Sequence, residues 1–328
     1  MGKVEQVINK FSLTKKRMND KGADDIHIVL ACDEGYAPYA MVLIQSILDN
    51  TSQIHKIYFH ILTESLSDKW QEAFEGLVKS RQAQVLVHIM QKIDTGFYVN
   101  GHLSRAAYYR LLIGSLLPES IQRCIYLDCD LVVLDDIAIL WDYFLEEKTL
   151  GAVPDYGILS SKRSMDEKRK VLGLHVGDSY FNSGVLLFDL QKWRDKGYEK
   201  KAMQEAQVHT YRHNDQDILN HILYKDWQVL PLEWNVIPPL FLLGFKILGN
   251  RILRHVTSDL GAPKILHWAG SKKPWQFRER RGFNGWYYVY AKRVKMSIAD
   301  GEGGLKELSI HKRVESWLAR KFYKQLKV

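Results

Sequence analysis

Two aspartates stand two residues apart in Asp128-Cys129-Asp130, directly after the apolar run Ile125-Tyr126-Leu127. Side chains two apart on an extended backbone leave from one face. Two carboxylates on one face at the end of an apolar strand repel each other and cost desolvation energy. A divalent cation relieves both, and oxygen ligands without thiolate or imidazole at this spot suit Mg²⁺ or Mn²⁺. The pair also fits a plainer role as a cap on the following turn, since Asp is common at strand ends. Asp-X-Asp triplets are frequent by chance, so the local pattern leaves both roles open.

The elements around this triplet must place it at a sheet edge. Ile26–Ala31 reads as a first buried strand, ending in the turn Cys32-Asp33-Glu34-Gly35-Tyr36. The pattern then predicts a helix over Tyr39–Leu48, a strand over Ile57–Leu62 and a helix over Ser67–Ser80 with Ser67 as N-cap. A strand over Val85–Ile89 and a helix over Ala106–Leu117, stopped by Pro118, lead to the strand before Asp128. Gly151–Pro154 reads as a short strand, and the polar, basic Tyr156–Leu174 as a loop or helix over the rim. Val185–Phe188 and Lys264–His267 read as strands, and Asp215–Leu223 as a helix. Alternating strands and helices predict an α/β fold with a mostly parallel central sheet and helices on both faces. Ligands of such sheets bind beyond the C-terminal strand ends, where Asp33, Asp128 and Asp130 would meet. Neither GxGxxG nor GxxxxGK[ST] occurs, so the dinucleotide fold and the P-loop lose their usual warrant.

The chain has 328 residues, 46% hydrophobic and 12% aromatic, enough for a full core and against disorder. Its formal charge of +8 is uneven: from Ser271 onward 15 Lys+Arg face 5 Asp+Glu, a net of +10, which leaves 31 against 33 in the remainder. A basic end of that kind expects an anionic partner. Cys32, Cys124 and Cys129 form no CxxC pair and are odd in number, which predicts no disulfide framework and a reducing cytosol. Residues 1–25 are charged throughout and do not read as a signal peptide, although Val4, Val7, Ile8 and Phe11 permit a short amphipathic helix. The apolar run Val236–Leu248, interrupted by Gly244, Lys246 and two prolines, is too short to span a bilayer.

Six motifs stand in one order: Ala31-Cys32-Asp33-Glu34-Gly35-Tyr36, Tyr108-Tyr109-Arg110-Leu111, Tyr126-Leu127-Asp128-Cys129-Asp130, Tyr180-Phe181-Asn182-Ser183-Gly184-Val185, Asn214-Asp215-Gln216-Asp217 and His267-Trp268-Ala269-Gly270-Ser271-Lys272-Lys273-Pro274-Trp275. In these the chain resembles glycosyltransferase family 8, and most nearly the bacterial lipopolysaccharide core glucosyl- and galactosyltransferases. The resemblance covers about 26–275 and implies a single Rossmann-like, GT-A type nucleotide-sugar transferase domain. Residues 1–25 are then an N-terminal extension and 276–328 a basic, aromatic tail.

The resemblance implies a Mn²⁺ (or Mg²⁺) site built from Asp128, Asp130 and His267, completed by two diphosphate oxygens of UDP. His267 alone would read equally as a satisfied core histidine. Lys273 and the Gly270 backbone would hold the diphosphate, with Lys272 as the neighbouring alternative to Lys273. Asp33 would contact the uridine, beside Gly35, where the family often has an amide. Tyr36 would stack on the base or pack as a turn aromatic. Arg110 would reach a sugar or phosphate oxygen, or pair with a carboxylate. Cys129 joins the donor side through its place between the metal ligands. Asp155, Asn182, Asp215 and Gln216 are placed around the donor sugar, where hydrogen bonds to hydroxyls set specificity. Asn182-Ser183-Gly184 would also suit a plain turn, Asp215 a helix cap, and Asp217 a place in solvent or in support of the helix.

The implied activity is retaining transfer of a glucose or galactose from a UDP-sugar to a saccharide acceptor, a lipopolysaccharide or other glycolipid core. Gln216 stands where a double displacement would need a carboxylate, which favours a front-face route. In His311–Val328, Val314, Trp317, Leu318, Phe322 and Leu326 form one stripe flanked by six cations, the pattern of an interfacial helix on an anionic membrane. That places the chain in the cytoplasm, peripheral on the inner face of the membrane. Nucleic acid is disfavoured, since no nucleic-acid motif accompanies the charge. Two other classes fit some residues: a haloacid dehalogenase-like phosphohydrolase with Asp128 as nucleophile, and a non-catalytic basic membrane-binding protein.

Overall fold

Strand β1 (Ile26–Ala31) alternates its contacts, with Ile28 and Leu30 in one hydrophobic cluster and Val29 in another. A strand buried on both sides needs helices on both sides. The computed structural model describes residues 25–52, 56–90, 105–237, 262–276 and 283–295. On one face of β1 pack helices α1 (Ala37–Asn50) and α2 (Asp68–Val78). Between them in sequence lies β2 (Ile57–Thr63), and after them β3 (Ala83–Ile89). On the other face lies a 3₁₀ turn, Arg105–Leu112, that runs into the short helix α3 (Ile113–Leu116). Leu117 is extended, as expected before Pro118.

Strand β4 (Arg123–Leu127) pairs parallel to β1, and the short β5 (Leu131–Val133) follows it at once. Helix α4 (Ile137–Trp141), β6 (Leu150–Pro154), α5 (Tyr156–Leu159) and α6 (Lys162–Leu172) come next. Strand β7 (Phe181–Asp189) pairs antiparallel to both β4 and β6. Helices α7 (Leu190–Asp195), α8 (Tyr198–Val208) and α9 (Asn214–Ile222), then β8 (Trp227–Val229), complete this half. The seven-stranded sheet has the order β3-β2-β1-β4-β7-β6-β8 and is mostly parallel.

Strand β9 (Ile265–His267) does not join that sheet; it pairs antiparallel with β5 in a separate two-stranded ribbon. Helix α10 (Phe283–Arg293) packs on the ribbon and on α1 through Tyr287, Tyr290 and Ala291. Asn50 Nδ2 donates to Tyr290 Oη at 2.7 Å, and Arg293 pairs with Asp49. The packed body therefore continues past 275, where the family resemblance ends. The stripe over His311–Val328 and the helix sketched near Val4 and Phe11 lie outside the described residues. No helix among the described residues is long and apolar enough to cross a membrane.

Ser67 is the N-cap of α2 as expected, its carbonyl accepting from Gln71 N–H at 3.1 Å, but its hydroxyl donates to Glu34 Oε1 at 2.6 Å and makes no capping bond. Asp217 takes the second of its two expected places: it is fully buried and supports α9, accepting from His213 N–H at 2.9 Å. The three cysteines are buried and free.

On α8, Glu199 Oε2 accepts from Ser115 N–H at 2.9 Å, while Oε1 is buried without a partner. Burial pushes the Glu199 carboxyl up to about 7 against the pull of Ser115. The unfolded chain releases this proton near the ordinary glutamate value, so folding loses stability as pH rises between there and about 7. At 1.36 kcal/mol per unit the loss is about 3 kcal/mol. Glu199→Gln stays neutral, so relative to wild type it should gain thermal stability from pH 5 to pH 8. Melting curves at the two pH values check this, and a difference that does not change with pH would remove the assignment.

Candidate active site

Strand direction gathers the polar residues on one rim. β1 and β4 end there, delivering Asp33, Asp128 and Asp130. β6 runs parallel to β4 by way of two antiparallel pairings, so Asp155 follows on the same rim and Asn182 and Ser183 open β7 beside it. The β5–β9 ribbon adds the last member, because its register sets Leu131, just after Asp130, opposite His267. Trp268 N–H donates to Asp130 O at 3.0 Å and locks that approach. His267 Nε2 lies 3.2 Å from Asp130 Oδ1 and 3.8 Å from Asp128 Oδ2. One ligand atom from each of the three falls within 4.8 Å of the others, close enough for a single cation to touch all three.

The hydrogen bonds decide what His267 offers. Gly184 N–H can only donate, so the Asn182 side-chain atom 3.0 Å away is the carbonyl oxygen. The Asn235 atom 2.9 Å from that oxygen must then be Nδ2, which turns Asn235 Oδ1 toward His267 Nδ1 at 2.9 Å. Nδ1 therefore carries the proton, and in the neutral ring the lone pair of Nε2 faces the two carboxylates. A lone pair and two anions in mutual contact are unfavourable by themselves and form the donor set of a divalent cation. Asp130 Oδ1 fits this, being buried without a hydrogen-bond partner. Although burial opposes it, the Lys273 ammonium holds the Asp130 carboxyl well below the usual carboxylate range. Lys273 Nζ pairs with Asp130 Oδ2 and donates to Trp268 O at 3.1 Å.

Arg110 is buried, and its donors are spent on the protein. Nη2 pairs with Asp128 Oδ1 at 2.8 Å, Nε with Asp215 Oδ2 at 3.1 Å, and Nη1 donates to Ser183 O at 2.6 Å. The guanidinium also sits 4.5 Å from the Tyr126 ring centroid. Arg110 thus borders the cleft but works as a counter-ion that aims Asp128. Burial pushes the Asp215 carboxyl up to about 6, although Arg110 pulls it down.

Asp155, Asn182, Asp215 and Gln216 form one cluster. Gln216 Nε2 donates to Asp155 Oδ2 at 3.0 Å, and Gln216 Oε1 accepts from Ser183 N–H at 3.1 Å and Asn182 Nδ2 at 3.3 Å. Asp215 Oδ2 accepts from Ser183 Oγ at 3.0 Å. Asn214 opens α9 with φ +38°, a left-handed turn that Asn tolerates, and so sends Asp215 and Gln216 into the rim. Behind Gln216, Tyr180 Oη accepts from its Nε2 at 3.1 Å and donates to Asp217 Oδ1 at 2.7 Å. Asp217 Oδ2 pairs with Lys168 at 2.7 Å. Against its burial, His213, Lys168 and Tyr180 hold the Asp217 carboxyl down to about 2. This buried pair joins α6 to α9 and fixes the Gln216 amide.

Tyr36 and Asp33 hold the turn after β1, where Tyr36 N–H donates to Asp33 Oδ1 at 2.9 Å. Tyr36 borders a cleft together with Ala107, Arg110, Asp128, Asp130 and Lys273; Asp33 is not among its lining residues. Gly270 adopts φ +94°, a conformation that favours glycine, in the loop before Lys273. The sequence reading missed Asn235 and Lys168, and quoted Tyr180 in a motif without giving it a role. Asn235 lies far from any quoted motif and reaches His267 because Val236 runs beside β9. Lys168 lies in the stretch read as polar and basic, and no spacing links it to Tyr180.

The fold is shared with a solved galactosyltransferase, LgtC, in complex with donor and acceptor sugar analogs, at a TM-score of 0.70 and 25% identity over 88% of this chain and 100% of that one. Fold and site together define a glycosyltransferase of the GT-A type. The sequence profile described as glycosyl transferase family 8 matches residues 27–279, and the chain belongs to that family. Among curated relatives, general stress protein A of Bacillus subtilis (strain 168) is 29% identical over 283 residues, 82% of this chain and 94% of that protein. The lipopolysaccharide 1,2-glucosyltransferase of Escherichia coli (strain K12) is 26% identical over 264 residues, 78% of this chain and 75% of its own. Membership sets aside the phosphohydrolase and the non-catalytic binder, and the carboxylate triplet follows β4 instead of the first strand.

Gly184 sits against the triad. A Cβ there would lie 2.8 Å from Asp128 Oδ2 and 2.9 Å from His267 Nδ1. Gly184→Ala should weaken Mn²⁺ binding by about tenfold or more, the usual scale for disturbed ligand support, and lower the melting temperature as the buried ring is displaced. Free Mn²⁺ followed by electron paramagnetic resonance reads the affinity. Equal Mn²⁺ binding by variant and wild type would place the cation elsewhere.

Proposed function

We propose that the chain moves a hexose, glucose or galactose, from a UDP-sugar to a hydroxyl of a saccharide acceptor with retention of anomeric configuration. The observation that carries this reading is the buried, partnerless Asp130 Oδ1 facing the free lone pair of His267 Nε2. Asp128, Asp130 and His267 would hold Mn²⁺ or Mg²⁺, which supplies Lewis-acid charge to the leaving diphosphate. Lys273 would exchange Asp130 for diphosphate oxygens, and Gly270 leaves its backbone open to their approach. Tyr36 and Asp33 lie on the nucleoside side. Asp155, Asn182, Asp215 and Gln216 face the donor hexose, where their hydrogen bonds read its hydroxyls. The net charge of +10 from Ser271 onward supports a glycolipid acceptor, a lipopolysaccharide core among them, met at the inner face of the cytoplasmic membrane.

Release of UDP from a panel of UDP-sugars, with and without Mn²⁺, tests the reading on wild type and Asp130→Ala. One sugar should give Mn²⁺-dependent release, and the variant should lose at least about a hundredfold, the scale of a lost charge-stabilising group. If no sugar is cleaved, and wild type and variant bind UDP and Mn²⁺ alike, both the donor class and the metal site are wrong.

The same assay with acceptor present addresses the route. Gln216 Oε1 already accepts from Ser183 N–H and Asn182 Nδ2, so the amide positions sugar hydroxyls instead of attacking carbon. Gln216→Ala should keep kcat within about tenfold while KM for the donor rises, since it removes binding groups and no nucleophile. A loss beyond about a thousandfold in kcat at unchanged KM would restore a covalent role.

A further inference from the structure

The loop 268–276 leaves the β5–β9 ribbon after His267, turns at Gly270 and carries Lys273. Lys273 N–H donates to Gln276 Oε1 at 3.1 Å, and Lys273 Nζ returns to Trp268 O at 3.1 Å, so the loop closes on itself. An ammonium on a flexible stem is a mobile point charge, and its aim depends on how the backbone beneath it is held. Two helices hold that backbone. From α1, the Tyr39 ring stacks on Trp275, with centroids 3.6 Å and planes 11° apart. From α10, Asn284 Oδ1 accepts from Trp268 Nε1 at 2.9 Å, and Tyr288 Oη donates to Pro274 O at 3.1 Å. Between them the buried Tyr287 ring lies 5.8 Å from Trp268 and 5.5 Å from Trp275. A helix that only covered the ribbon would need Tyr287, Tyr290 and Ala291; the Asn284 amide and the Tyr288 hydroxyl are aimed at the loop instead. They meet it on either side of Lys273, at the residue whose carbonyl receives its ammonium and at the residue that follows it. Helix α10 begins at Phe283, beyond the end of the family match at 279.

We propose that α10 is a working part of the donor site, in which Asn284 and Tyr288 are positioning residues that hold the loop 268–276 and so aim Lys273 at the diphosphate. Lys273 must leave Asp130 to take up diphosphate oxygens. During that exchange its main chain stays fixed by Asn284 at one end of the loop and by Tyr288 beside Pro274. A loop ordered in advance spares the ordering cost when the nucleotide binds. The inference rests on the donor reading above, since it gives Lys273 to the diphosphate.

Tyr288→Phe keeps the buried ring and removes only the hydroxyl that donates to Pro274 O. In the full-length protein at saturating Mn²⁺, calorimetry should show UDP binding about fivefold weaker, the scale of one neutral hydrogen bond, with uridine binding unchanged. Asn284→Ala, which frees the Trp268 indole at the other end of the loop, should give the same pattern. Lys273→Ala should weaken UDP binding by itself, and Tyr288→Phe added to it should cause no further loss, because the hydroxyl acts through Lys273. An unchanged UDP affinity in either single variant, an equal loss for uridine, or a full further loss on top of Lys273→Ala would each overturn the proposal. If wild type binds UDP but cleaves no UDP-sugar, the transferase reading fails alone, and the UDP titrations still decide the role of α10. If wild type binds no UDP, both fall.

Discussion

The hydrogen bond from His267 Nδ1 to Asn235 Oδ1 turns the other ring nitrogen, bare, toward two carboxylates. Everything that makes this possible comes from different parts of the chain. Gly184 N–H fixes Asn182, Asn182 fixes Asn235, and Asn235 fixes the ring. The Gly184 carbonyl meanwhile accepts from Asp128 N–H at 2.9 Å, so one glycine sets the backbone of one ligand and, through two amides, the tautomer of another. A cation site built this way is preorganised before the cation arrives, which spares the ordering cost at binding.

Preorganisation has an electrostatic cost. Asp128, Asp130 and Asp215 crowd into a buried rim, where each carboxylate loses hydration. Two cations offset this from opposite sides: Arg110 bridges Asp128 and Asp215, and Lys273 covers Asp130. The rigid fork of Arg suits the bridge, because it meets two carboxylates at once and rests on Tyr126. The flexible ammonium of Lys273 suits a partner that must change hands. The sheet supports the same division, since the strands of the parallel half carry Asp128 and the reversed β7 carries Gly184 and Asn182, which fix the Asn235 amide that orients His267.

Much of this was legible in the sequence, and the gaps have physical causes. β1, β2 and β4 appeared within one or two residues of their expected limits because buried strands are continuous apolar runs bounded by turns. Asp128, Asp130 and His267 came together as the motif order implied. Lys264–His267 was expected as a strand into the site and is one, but its pairing with β5 outside the main sheet is a choice between partners that a single strand does not encode. Arg110 was expected to face substrate or a surface carboxylate; its inward turn follows from Asp215 and Ser183, more than seventy residues away. Asn235 carried no signal, because an amide that orients a histidine is defined by geometry alone. Ser67 caps α2 through its backbone as expected, but its hydroxyl turns to the Glu34 carboxylate, which comes from a turn distant in sequence.

Were transfer to retain the anomeric configuration, as proposed, the arrangement would also narrow the route. A double displacement requires a free oxygen aimed at the sugar carbon. Gln216 Oε1 is filled by Ser183 N–H and Asn182 Nδ2. Asp215 is bound by Arg110 and Ser183. Asp217 is fully buried behind Tyr180 and held by Lys168. Freeing any of the three would leave a buried donor or cation unpaired, at about 1–3 kcal/mol per neutral group and more for Arg110 or Lys168. A route in which the departing phosphate takes the acceptor proton asks for none of these rearrangements. The chain then has only to bind, orient and shield, and the amides, Arg110 and Lys273 are already placed for that work.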